Sequence, residues 1–148
     1  MTETEFRVNH SNLMQYYQLI EMRLKGICAE LKADDNRDWY ERLDDYENDP
    51  LGKLLNRLEN IQKEKSNFVV EETILTRLDN IRTARNYWCH QCFGGDRPIV
   101  FKRINKKMVV KNDEDATRIL IDLEEATEMD ARLTECFLKC RNKENAVI

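Results

Sequence analysis

Glycine and proline are scarce in this chain of 148 residues: four and two, respectively. So few turn-forming residues exclude a protein built of many short elements and favour a few long ones made from good helix formers. No run of apolar residues is long enough to cross a bilayer. The opening Met1-Thr2-Glu3-Thr4-Glu5 is acidic where a secretion signal is basic and then apolar, so a cytoplasmic protein without a membrane role is expected. Cysteine is present but not dense. Five of them, an odd number, fit reduced and largely buried thiols better than a disulfide framework. An excess of positive charge is also lacking. A net charge of −4 argues against coating nucleic acid by bulk electrostatics and leaves only a local basic patch for that purpose.

What is present suffices for a core. Hydrophobic residues make up 41% of the chain, with two Trp, five Tyr and five Phe. The length fits one domain spanning residues 1–148. Leu13, Tyr16, Tyr17, Ile20, Leu24, Ile27 and Leu31 recur at three- and four-residue steps and predict a helix over roughly 10–33, capped by Asn9 or Ser11. Eight acidic residues crowd 34–49, read most simply as a solvated face, and Pro50 then predicts a bent or split second helix. Its later part carries Leu51, Leu54, Leu55, Leu58 and Ile61. A third stripe runs through Ile74, Leu78, Ile81, Arg85, Trp88 and Cys92, and Gly94-Gly95 is expected to stop it. Two β-prone runs around Asn105, 99–101 and 108–110, predict a long loop or small hairpin. A last helix opens at Asn112 with Asp113, Glu114 and Asp115 in its first turn. The fold class that follows is all-α, an up-and-down bundle of four to five helices.

Arg85 breaks a local rule, standing where the stripe calls for an apolar side chain. A guanidinium there marks either a functional site or a buried ion pair, because an unpaired buried charge is costly. Asn86 and His90, four apart, share a helix face, whereas Arg85 and His90 lie about 140° apart. They converge only if the helix unwinds near His90 or two copies meet. An imidazole that exchanges protons, beside a guanidinium that grips phosphate, is the minimum for cleaving RNA without a metal.

The segment Arg85-Asn86-Tyr87-Trp88-Cys89-His90 resembles the Arg-Asn-x-x-x-His signature of the HEPN superfamily, placed as there near the end of a long helix. The resemblance implies a homodimer whose two motifs form one composite RNA site. In it Arg85 would hold phosphate, His90 would act as general acid-base in 2′-hydroxyl attack, and Asn86 would position both. It implies no cofactor and no metal. It also implies a toxin or phage-defence role, with an antitoxin such as a minimal nucleotidyltransferase as a possible partner. In this acidic chain Lys102, Arg103, Lys106 and Lys107 form a basic cluster suited to RNA phosphates. The alternative is a non-catalytic binding or scaffold module on the same fold. Arg85 paired with an acid of its own core, with His90 left exposed alone, would favour that alternative. A zinc site made from Cys89, Cys92, Cys136 and Cys140 is opposed by the roughly 30 Å that 1.5 Å per helical residue would place between the two pairs.

Overall fold

The computed structural model describes residues 1–32 and 36–145, with side chains as far as 142. The end of the expected first helix at residue 33, and residues 34 and 35 of the acidic run, lie outside the described residues. The chain is mostly helical. In order come α1 (Glu3–Leu31), α2 (Trp39–Asp44), α3 (Leu51–Lys65), α4 (Glu72–His90), strands β1 (Phe101–Ile104) and β2 (Lys107–Val110), and α5 (Asp113–Asn145).

The first helix starts earlier than its apolar stripe suggests. Thr2 and Glu5 form a capping box, each side chain bonded to the other's backbone N–H at 3.1 Å, so the helix opens at Glu3 and not near Ser11. The second helix is split, as Pro50 predicts: α2 ends at Asp44 and Pro50 caps α3. The acidic run, which contains α2, is not merely a solvated face. Asp38 caps α2, Asp45 pairs with Arg37 at 2.7 Å, and Asp49 is buried against Arg57. Within the same stretch, buried Arg42 donates to the Ala29 carbonyl at 2.8 Å and so satisfies the last turn of α1.

The buried side chains form one continuous cluster drawn from α1, α3, α4 and α5, with Tyr46, Ile99 and Val110 added from the connections and β2. Leu13, Tyr17, Ile20, Leu24 and Ile27 are the α1 contribution. The α1 helix packs chiefly along α5. Val110 meets Met1, Arg23 meets Asp130 and Gly26 faces Phe137, so α1 and α5 run in the same direction; up-and-down alternation of four helices would oppose them, whereas alternation of five, with α2 counted, would not. Helix α4 runs opposite to α5, since Arg77 pairs with Glu125 and Trp88 with Asp122.

The segment between α4 and α5 forms a hairpin, with Phe101 opposite Val110 and Ile104 opposite Lys107. Its two-residue turn, Asn105-Lys106, has φ of 48° and 67°. That is the left-handed pair a tight hairpin turn requires. Asparagine tolerates this conformation and lysine does not, so Lys106→Gly is expected to raise stability by about 0.5–1 kcal/mol, read as a higher urea midpoint at unchanged slope.

Candidate functional site

The motif occupies the last two turns of α4. Leu78, Ile81 and Trp88 anchor the helix in the core, which fixes where the polar residues between them stand. Trp88 is fully buried, and its indole N–H donates to Asp122 on α5 at 2.7 Å. Tyr87 is also buried, its hydroxyl donating to the Arg97 carbonyl at 2.8 Å. The Arg118 guanidinium lies 4.0 Å from the Tyr87 ring centroid. Both aromatic side chains of the hexapeptide therefore serve packing, leaving Arg85, Asn86, Cys89 and His90 for any other task.

Arg85 is half-buried and makes a 2.8 Å ion pair with Glu21 of α1. The broken stripe thus marks an ion pair across two helices. The contact is close but badly angled: Glu21 Oε1 is shut off from solvent and accepts no aligned hydrogen bond. Tyr17, one turn before Glu21, is 2% exposed, and its hydroxyl has no partner among the described residues. Burial pushes that hydroxyl well above the usual tyrosine range, with the Asp122 carboxylate adding to the effect. A small polar layer drawn from α1, α4 and α5 therefore underlies the motif.

Asn86 and His90 are exposed, and neither side chain makes a hydrogen bond or ion pair among the described residues. The helix stays regular through His90, its next residue Gln91 bonding to the Tyr87 carbonyl at 2.9 Å. Unwinding near His90, one of the two routes by which Arg85 and His90 would converge, is therefore absent. Within one chain they point to different sides. The stop signal also differs from expectation: the helix ends four residues before Gly94, and no glycine has a positive φ. Gly95 matters for space instead, since a Cβ there would lie 2.6 Å from the Gln91 Cα.

Sequence reasoning passed over His10. It stands well inside α1, and its Nε2 lies 2.8 Å from the Trp88 carbonyl. A carbonyl only accepts, so Nε2 carries the proton. The Cys92 thiol donates to the same carbonyl at 3.1 Å. Beside them Phe93, Phe6 and Phe101 pack edge to face, with Arg7 5.2 Å from the Phe93 ring centroid. These contacts, with the Ile99 N–H bonded to the Cys92 carbonyl at 2.7 Å, draw the α4 terminus, the start of α1 and the hairpin to one end of the molecule.

No family model, curated protein or solved structure matches this chain. The site is therefore read from its own residues. Lys102, Arg103, Lys106 and Lys107 are all exposed on the hairpin. The strand register divides them: Lys102 and Lys107 fall on one face, Arg103 on the other with Met108, and Lys106 at the tip. The basic cluster is thus two-sided.

Among the described residues no three His, Cys, Asp or Glu side chains converge in a way that would hold a metal. All five cysteines are free. Cys89 is exposed; Cys28, Cys92, Cys136 and Cys140 are buried. A thiol reagent at pH 8 is expected to label Cys89 rapidly and the other four only on unfolding, counted by mass spectrometry. Burial pushes the Cys28 thiol up to about 12, the Cys92 thiol to about 11 and the Tyr46 hydroxyl to about 12. Each of these groups holds its proton in the folded state at pH values where the unfolded chain has lost it, above about 9 for Cys and 10 for Tyr. Stability is therefore expected to fall as pH rises from 9 to 11, by at most about 1.4 kcal/mol per unit for each group. Urea titrations across that range check this, and Cys28→Ala should flatten the decline.

Proposed function

We propose that this chain is an RNA-binding module of HEPN type, which contacts RNA through the end of α4 and the basic hairpin and does not cleave it as a single chain. The observation that carries this reading is the pairing of Arg85 with Glu21, with His90 exposed five positions further along an unbroken helix and turned away from Arg85 within one chain. The assignment to the superfamily rests on the hexapeptide at Arg85–His90. RNA backbone contact is supported by the exposed Lys102, Arg103, Lys106 and Lys107, and a surface for stacking by the exposed Phe93 with Arg7 over its ring, at the Phe101 end of the hairpin.

A second reading is a metal-independent endoribonuclease, a toxin or defence effector held in check by an antitoxin such as a minimal nucleotidyltransferase. One observation favours it: Asn86 and His90 stand together on the exposed last turn of α4, and the Arg85 side chain keeps 30% exposure despite its pair. A homodimer would then have to supply Arg85 and His90 to one cleft from two copies. The deciding experiment incubates the purified protein with labelled RNA in excess EDTA, beside Arg85→Ala and His90→Ala, and measures binding and cleavage together with the oligomeric state. Binding with intact RNA supports the first reading. Cleavage to 2′,3′-cyclic ends that both substitutions abolish transfers the assignment to the second, and neither binding nor cleavage removes both.

A further inference from the structure

We propose that Glu21 restrains Arg85, so that a phosphate must compete with this carboxylate before the guanidinium joins the RNA contact. The inference rests on the RNA-binding reading above and adds to it the residue that sets how strongly the motif arginine takes part.

Three observations carry it. Glu21 lies on α1, outside the motif, yet it is the partner Arg85 has among the described residues, at 2.8 Å. Its Oε1 is shut off from solvent while the side chain as a whole keeps 16% exposure, so water and salt screen the charge only in part and it still acts on whatever approaches Arg85. The contact also lacks the directed hydrogen bonds of the fixed pairs in this fold. Arg77 holds Glu125 through two aligned bonds of 2.7 and 2.9 Å, and Arg37 holds Asp45 through bonds of 2.9 and 2.7 Å. A guanidinium held by charge alone keeps its other N–H donors unspent, and phosphate is the ligand whose geometry uses them in pairs. Glu21 therefore opposes phosphate twice, by repelling it and by being left unpaired in a half-buried place if Arg85 moves away.

The test is Glu21→Gln, which keeps the shape and removes the charge, measured by fluorescence anisotropy against a single-stranded RNA from 50 to 200 mM salt. Wild type, Arg85→Ala and the double variant are run beside it. The expected result is a three- to tenfold gain in affinity near 0.1 M salt and a salt dependence steeper by about 0.7, the increment of one added phosphate contact on a single strand. Both gains should vanish in the Arg85→Ala background. Weaker or unchanged binding by Glu21→Gln overturns the proposal in favour of a carboxylate that merely positions Arg85. A gain that survives in the double variant overturns it as a general charge effect. If none of the four proteins binds RNA, the RNA-binding reading itself fails and this inference with it. Should Glu21→Gln not fold, the Arg85 Nε–H resonance of the wild type, followed by NMR during RNA titration, must shift; a signal that stays in place overturns the proposal.

Discussion

Trp88→Ala is expected to remove about 4 kcal/mol of stability, near the middle of the range for emptying a fully buried aromatic site. The indole has no exposed surface and contacts the rings of Phe6, His10 and Tyr87, with centroids 6.0, 6.3 and 4.8 Å away. Its N–H also satisfies Asp122, so truncation leaves a cavity and a partly buried carboxylate without its donor. Small domains are stable by only about 5–15 kcal/mol in total, so the loss should lower the melting temperature by on the order of 10–20 °C. Urea and thermal unfolding check it. Trp88→Phe keeps most of the apolar contact, loses the donor, and should fall between the two. A change under about 1 kcal/mol for Trp88→Ala would mean that α4 is rotated from the orientation described here, and the placement of Arg85, Asn86 and His90 would fall with it.

That dependence shows which parts of the site were legible in the sequence. The stripe Leu78, Ile81, Trp88 and Cys92 announces the buried face of α4, because burial and helical spacing are local properties of the chain. The Arg85 anomaly announces a partner. It does not name Glu21, because which acid faces an arginine depends on how α1 and α4 cross. His10 was invisible for a related reason: its acceptor is the Trp88 carbonyl, and a backbone group leaves no trace in residue identities. Thr2 and Glu5 were legible and outweighed. The Ser/Thr-x-x-Glu capping pattern stood in the open at the start of the chain, while the apolar stripe pulled the expected helix start to a later residue. Gly94-Gly95 misled in the opposite sense. Glycine at a helix end is informative when it takes the left-handed conformation, and here neither glycine does. The direction of α5 relative to α1 depends on the connection from α1 through α2 to α3, since α4 and α5 already run opposite to each other, and no periodicity records the path of that connection.

The same limit applies to the basic cluster, and it makes the RNA-binding reading quantitative. Read along the chain, Lys102, Arg103, Lys106 and Lys107 look like one patch, but the pleat places Lys102 and Lys107 on one face and Arg103 on the other, with Lys106 between them at the tip. One strand of RNA passing this face can meet three of the four charges at once. Replacing Lys102, Lys106 and Lys107 together by alanine should therefore reduce the salt dependence of binding by about 2, at roughly 0.7 per contact with single-stranded RNA. Over the interval from 50 to 200 mM salt, that amounts to about 20-fold in affinity. Arg103→Ala alone should change the dependence by less than one contact. All four side chains are exposed, so the substitutions should leave the melting temperature nearly unchanged and the comparison free of folding effects. Equal losses from the triple variant and from Arg103→Ala would mean that RNA wraps both faces of the hairpin. No loss from either would move the contact away from the hairpin, leaving the α4 terminus to carry it. In that event the hairpin's part in the RNA-binding reading fails, and the α4 terminus alone holds RNA against the acidic net charge of the chain.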